Sequence, residues 1–506
     1  MSVQPDTNRA LSARPTYFIW LALCILLSSF ALRIWDLGGP SLWSDEIMTE
    51  FRAQAPLPDA MENTLKTIDQ VPFYFMTLRL VPTENEFLLR LPSVMFGVAG
   101  IGLVMFVAIR LYNSYSLALW AGAWLAFNPF HIGLSRTARA YTLIFLMSVL
   151  VSYYFFVLWN GRQTRRAWIL FTASSLLAYL THYSLFALPF AQLVILGLNY
   201  RHKAPLIRRW FVAQVVAALP VLLWAGLMLL NFTSREPQWG DPPQVEDLAI
   251  SLWSLTAGYN GMFQWYVIPG LIVAIGGLVL FFRAQQGRAI DLYWAVLLTP
   301  MMMLFALSAW SPVNAYIDRY FTALLPALVF LIARGWSVVP RRALQAAMLS
   351  VVLTGSATMF VSFTQKDYQR EDWRSAATYV AGRYHPDDYF VVDRAVTITS
   401  FERYFSYDHT LNVVQLSETD TIIPDVYPSG RYWVIYRNPD ENIHQPTTLP
   451  AFNPFEPNPS VTSEWLLKRV EYVVEYRAFD GVTVLLVEYD AGNCPEGQYC
   501  APLADS

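Results

Sequence analysis

The sequence predicts a polytopic α-helical membrane protein with a small α/β domain at its C-terminal end. Three observations carry that prediction. Hydrophobic residues make up 55% of the 506 and charged residues only 14%, where a soluble globular chain carries about 25% charged residues. The apolar residues fall into runs near the ~20 residues needed to cross the hydrocarbon of a bilayer. Beyond about residue 363 the material changes to short β-branched and aromatic runs separated by turn residues. Mean hydropathy is +0.34. A net charge of −3 leaves no electrostatic footprint for nucleic acid.

The first apolar run starts at Tyr17 and continues to Trp35 with no small-residue cleavage pattern after it, so it reads as a retained span. Eleven candidate spans follow at 17–35, 87–109, 115–131, 140–159, 167–181, 183–199, 210–231, 263–282, 290–310, 320–338 and 343–362. The fifth and sixth share one apolar stretch broken only by Thr181-His182-Tyr183-Ser184, so an even total is an alternative. Basic residues set the orientation. Arg9, Arg14, Arg110, Arg162, Arg165, Arg166, Arg201, Lys203, Arg208, Arg209, Arg283, Arg288, Arg334, Arg341 and Arg342 fall in loops on one side. The short loops of the other side hold only Arg136, Arg139, Arg235 and Arg319. The prediction is therefore a multi-pass cell-membrane protein with a cytoplasmic N-terminus. Eleven crossings divide it into a membrane domain, 1–362, and an extracytoplasmic domain, 363–506. Cys24 lies in a span. Cys494 and Cys500 close a short loop, either as a disulfide in an oxidising compartment or as two free thiols.

The outer loop 36–86 is too long for a turn. Met61, Leu65 and Ile68 recur at helical spacing, and Pro72 to Leu80 is apolar but too short to span. Both segments read as helices, lying in the membrane interface or packing as struts between spans. At the head of this loop stands Ser41-Leu42-Trp43-Ser44-Asp45-Glu46. Adjacent carboxylates beside a bilayer are costly to keep ionised near apolar surroundings, which makes Asp45 and Glu46 candidate catalytic residues.

The second outer loop, His131 to Tyr141, sets Arg136 and Arg139 three apart. On a helix start they would share a face and point at one anion, or they anchor to lipid headgroups. Arg319 opens another outward span and could join them, with Asp318 beside it as a possible ion-pair partner. The third outer loop, about 232–262, is acidic and aromatic, with Glu236, Trp239, Asp241, Glu246, Asp247 and Tyr259. Its rings suit either a sugar or the membrane interface. In the tail, Glu371-Asp372-Trp373-Arg374 opens a helix to about Arg383. Strands are expected at Tyr389–Asp393, Arg431–Arg437, 469–477 and 482–489, the last two paired around Gly481. No nucleotide fingerprint and no metal-ligand spacing is present, so the tail reads as a cap or acceptor-docking element.

An acidic pair, arginines, aromatics and a soluble domain thus gather on the side away from ATP. A transferase working there needs a donor already activated in the membrane, and a lipid-linked phospho-sugar meets that need. Asp45 or Glu46 would take the proton of an acceptor hydroxyl, while arginine cations hold the departing phosphate.

With these pieces in place the sequence resembles the C-type glycosyltransferases of the protein O-mannosyltransferase and aminoarabinose transferase superfamily, glycosyltransferase family 39-like. The resemblance rests on Leu42-Trp43-Ser44-Asp45-Glu46, Glu86-Phe87-Leu88-Leu89-Arg90-Leu91-Pro92-Ser93, His131 to Tyr141, and Thr181-His182-Tyr183. Together with the span layout it covers roughly residues 15–362. It implies the GT-C fold, a polyprenyl-phosphate sugar donor, inversion at the anomeric carbon, and the first-loop acid, here Asp45, as base. It also brings Arg90, His131, Tyr141 and His182 into a substrate-binding set with Arg136, Arg139 and Arg319. The acceptor would be a protein, glycolipid or polysaccharide hydroxyl.

Three departures stand out. Gln70-Val71-Pro72 replaces the His-Pro-Pro of many relatives. The second loop ends in Ala140-Tyr141, where some members carry a second acid. No residues form a convincing metal site, and His131 and His182 read as hydrogen-bonded helix-end residues, so no cofactor is assigned and metal dependence stays open. Two other function classes fit less well. A transporter or lipid flippase would place ionisable groups near the midplane, whereas these spans carry almost no internal charge. A receptor or scaffold would need far fewer spans.

Overall fold

The computed structural model describes residues 15–66, 71–231, 243–257, 265–284, 288–310, 316–365, 371–392, 395–405, 411–415, 430–437 and 473–489. Outside these lie the Cys494–Cys500 loop and Glu236, Trp239, Asp241 and Tyr259 of the third outer loop. The chain forms two compact units. One comprises Met1–Leu37 with Arg52–Gln365, the other Gly38–Phe51 with Lys366–Ser506.

Among its described residues the larger unit has helices and no strands. Its helices are α1 (Pro15–Ile34), the end of α2 (Ser44–Gln54), α3 (Leu57–Leu65), α4 (Phe73–Leu78), α5 (Glu86–Tyr112), α6 (Tyr115–Ala126), α7 (Pro129–Ser135), α8 (Tyr141–Trp159) and α9 (Arg165–Thr181). They continue with α10 (Ala187–Leu198), α11 (Tyr200–Asn231), α12 (Val245–Ala257), α13 (Ile268–Arg283), α14 (Ala289–Leu297), α15 (Thr299–Trp310), α16 (Leu325–Trp336) and α17 (Arg341–Gln365). Seven helices among the described residues are long and apolar enough to cross a membrane, or eight if the bent pair α6–α7 is one span. The remaining expected segments are also helical but shorter, as α9, α10 and α16.

Helix ends follow local chemistry. Asn85 accepts the Leu88 N–H to start α5, and Asn113, with φ +56°, ends it in the left-handed conformation. Ser114 and Thr164 cap α6 and α9 in the same way. At Asn128-Pro129 the run 115–131 breaks, and the chain bends by 63°. Proline supplies no N–H and suits the first turn of a helix, while Asn128 accepts the His131 N–H at 2.8 Å. The two short pieces of the first outer loop are helices α3 and α4. α4 is a strut: Tyr74, Phe75 and Leu78 are buried, and Tyr74 bonds Ser93 of α5 at 2.6 Å.

The smaller unit is α/β. Helices α18 (Trp373–Ala381) and α19 (Ala395–Glu402) accompany five strands: β1 (Tyr389–Val392), β2 (Asn412–Gln415), β3 (Gly430–Arg437), β4 (Val473–Phe479) and β5 (Val482–Tyr489). The sheet order is β2-β1-β3-β5-β4, parallel at β1–β2 and β1–β3 and antiparallel from β3 onward. Tyr432, Trp433, Val434 and Ile435 are all buried, as a strand needs when both its faces are covered. Gly481, with φ +62°, makes the β4–β5 turn that side chains other than glycine disfavour. The first two turns of α2 belong to this unit, although more than 300 residues separate them from its strands.

Candidate active site

The acidic pair opens α2. The N–H groups of Glu46 and Ile47 both donate to the Trp43 carbonyl, at 2.8 and 3.1 Å, which makes Trp43 the cap residue. Glu46 is fully buried, and its Oε2 accepts the Trp43 N–H at 3.4 Å, the back-reaching half of a capping box. Asp45 is half-buried, and its carbonyl accepts from Thr49 Oγ1 at 2.8 Å. Both carboxylates sit in the first turn, where the helix end favours negative charge. Two adjacent acids thus take different parts: Glu46 closes the helix, and Asp45 stands nearer the surface of its unit.

The tail supplies the rest of the setting. Glu371 Oε2 accepts the Ser44 N–H at 2.7 Å, the Ser44 hydroxyl at 2.5 Å and the Trp373 indole N–H at 2.7 Å. Its Oε1 pairs with Arg437 at 3.0 Å. Glu50 receives Arg403 through two bonds, 2.7 and 3.0 Å. Tyr404 accepts the Leu42 N–H at 2.7 Å, and Arg374 donates to the Gly39 carbonyl at 2.7 Å. Sequence reasoning missed Glu50, Glu371 and Arg403 as site residues. Nothing local to 371 or 403 marks a partner more than 300 positions away.

The other candidates lie in the helical unit. Arg136 and Arg139 occupy the turn between α7 and α8 rather than a helix start, so the shared-face argument does not apply to them. The guanidinium of Arg136 is buried and donates to the carbonyls of Arg33 (3.1 Å), Trp35 and Asp36 (3.3 Å). It braces the chain where Asp36, with φ +46°, turns out of α1. Arg139 is half-buried, and its carbonyl accepts from Ser93. Arg90 is buried in α5 and donates to the Leu37 carbonyl at 2.9 Å.

His131 is enclosed in α7 with Arg33 Nη2 2.8 Å from its Nδ1. A guanidinium only donates, so Nδ1 accepts and the ring proton resides on Nε2. That Nε2 and the hydroxyl of buried Tyr141 have no hydrogen-bond partner among the described residues. His182 ends α9, and its Nδ1 accepts the Ser184 N–H at 3.1 Å; its ring lies 4.7 Å from that of Tyr320. Both histidines are hydrogen-bonded helix-end residues. Tyr320 and Arg319 lie in the 3-10 helix Asp318–Ala323, where Asp318 accepts the Ser251 hydroxyl. Burial raises the Asp318 carboxyl above the usual carboxylate range, and nearby Asp247 adds to this, against the hydrogen bonds of Ser251 and Ser254. Among the described residues no group of three or more His, Cys, Asp or Glu could hold a metal ion.

The acids therefore belong to one unit, and Arg90, His131, Arg136, Arg139, Tyr141, His182 and Arg319 to the other. No protein-family model matches the sequence, and no curated protein does. Solved structures do match in three dimensions. ArnT from Cupriavidus metallidurans in the apo state overlays with a TM-score of 0.58 at 15% identity, covering 93% of this chain and 97% of that one. The same ArnT bound to undecaprenyl phosphate gives 0.55 at 14% identity, with the same coverage. At such low identity the likeness bears on architecture, and it spans nearly the whole of both chains. The chain has the GT-C fold of the membrane glycosyltransferases.

Proposed function

We propose that the protein is a multi-pass membrane glycosyltransferase that moves one sugar from a polyprenyl-phosphate donor to an acceptor hydroxyl outside the cytoplasm. The transferred group is a hexosyl or pentosyl unit, and the acceptor a protein, glycolipid or polysaccharide. Asp45 accepts the acceptor hydroxyl proton as the oxygen bonds to the anomeric carbon. The bond from that carbon to the phosphate oxygen breaks, and polyprenyl phosphate leaves with the electron pair, so the configuration inverts. Arginine cations of the helical unit, Arg139 foremost, offset the charge that grows on the leaving phosphate. Arg136 and Arg90 order the chain at the end of α1 through its carbonyls.

The observation that carries this reading is the start of α2. In a chain with the fold of ArnT, Glu46 is buried and committed to capping, while Asp45 beside it retains exposure. The likeness to ArnT bound to undecaprenyl phosphate supports the donor class.

The test uses purified full-length protein with a lipid extract of its native membranes, reading undecaprenyl phosphate released by mass spectrometry. Asp45→Asn is expected to lower release by about 10²–10⁴-fold, the usual contribution of a general base. Glu46→Gln keeps an oxygen for the cap and should retain much of the rate. Equal turnover by wild type and Asp45→Asn would remove Asp45 from the mechanism.

A further inference from the structure

α2 begins with backbone N–H groups that its own helix cannot satisfy. The N–H of Ser44 finds its acceptor in Glu371, 327 residues along the chain. Glu371 is 3% exposed in its side chain and uses both oxygens: Oε2 for Ser44 and Trp373, Oε1 for Arg437. The Ser44 hydroxyl donates to Glu371 and also receives the Ser400 hydroxyl at 3.2 Å. One turn and a half further on, the buried carboxylate of Glu50 takes a two-pronged bond from Arg403. Bidentate guanidinium–carboxylate pairs fix orientation as well as distance. Asp45 lies between these two anchor points.

We infer that Glu371 and Arg403 are positioning residues for the glycosyl transfer, holding the first turns of α2 so that Asp45 presents its carboxylate in one orientation. The inference rests on Asp45 being the base. It gives the tail a part in building the catalytic segment, beyond capping the protein or docking an acceptor. The function is geometric: a small misplacement of a reacting group costs a large factor in rate. Neither residue takes a proton or touches the donor.

The test compares wild type with Glu371→Gln, Arg403→Gln and Arg403→Lys, all as full-length protein. Hydrogen–deuterium exchange is followed on peptides spanning 42–54 without any substrate, and kcat and KM are read from undecaprenyl phosphate release. Binding of undecaprenyl phosphate is read separately by thermal shift. Exchange over 42–54 is expected to quicken by at least about tenfold in Glu371→Gln and Arg403→Gln, with α5 and α8 unaffected. The kcat should fall about 10²-fold while KM and the thermal shift hold. Arg403→Lys, which keeps the charge and one bond, should recover part of the loss. If Glu371→Gln does not fold, Arg403→Gln carries the same measurements from a half-exposed side chain. Unchanged exchange over 42–54 would overturn the clamp, and so would quickened exchange with an undiminished kcat. Failure of the transfer reading looks different: wild type and Asp45→Asn would release alike, and exchange alone would then decide the clamp.

Discussion

Arg33 keeps its charge inside the helical unit by placing all three nitrogens on acceptors. Nε donates to Ser135 Oγ, Nη1 to Ser29 and the Ala126 carbonyl, and Nη2 to the Leu125 carbonyl and His131 Nδ1. Both carbonyls lie at the end of α6, where the helix stops at the bend; that of Leu125 also accepts the Asn128 N–H at 3.4 Å, and the arginine adds donors where the helix supplies few. A second residue-scale balance is at Asp318, whose carboxyl is raised chiefly by burial. The native state then favours the protonated form. Its contribution is fully present below the unfolded value, about 3.9, and is lost as pH rises through the raised native value. Asp318→Asn removes the ionisation while keeping an acceptor for Ser251. The variant should gain on wild type in unfolding temperature as the buffer goes from about pH 4 to about pH 7. A constant difference across that range would mean that Asp318 does not titrate there.

At the scale of elements, α13 and α16 meet backbone to backbone. A Cβ on Gly335 would lie 1.7 Å from the Gly277 carbonyl oxygen, and one on Gly277 would lie 2.7 Å from Ile332 Cγ2. Small residues permit such approach between membrane helices, where dispersion contacts replace the hydrophobic drive. The Trp336 indole adds a bond of 2.8 Å to the Val273 carbonyl. Gly335→Ala should therefore cost about 1–3 kcal/mol by overpacking, read as a lower unfolding temperature in lipid nanodiscs. Gly197→Ala, where an added Cβ meets nothing within 4 Å, is the matched control and should be neutral or slightly stabilising. The same elements show what the sequence could disclose. Long apolar runs such as those of α5 and α8 announce themselves by length alone. Asn128-Pro129 lies inside the expected span 115–131, and neither its 63° bend nor the arginine that serves it, more than 90 residues earlier, is part of that expectation. Arg33, near the end of an apolar run, reads in isolation as a snorkelling side chain. The acid motif was readable for the same reason that its clamp was not. Asp45 and Glu46 are adjacent, while Glu371 and Arg403 meet α2 only after the tail has folded.

At the scale of the molecule, the composition of the smaller unit constrains the crossing number. Gly38–Phe51 follows the first span and Lys366–Ser506 follows the last, yet both belong to one compact body. A compact body is expected on one side of a bilayer, which predicts an even number of crossings in the chain between its two parts. With α1 added this predicts an odd total, as the expected eleven is, against the even alternative. On the orientation expected from the basic loops, Arg162, Arg165 and Arg166 between α8 and α9 face the cytoplasm. Cysteine labelling separates the two statements. In a chain with Cys24, Cys494 and Cys500 replaced by serine, Asp387→Cys should react with a membrane-impermeant maleimide in intact cells. Arg162→Cys should react only after permeabilisation; both positions are exposed. Labelling of both from one side would contradict an odd count. The inverted pattern would keep the odd count but place Asp45 and its clamp among cytoplasmic nucleotides, where a transferase has no need of a lipid-borne donor.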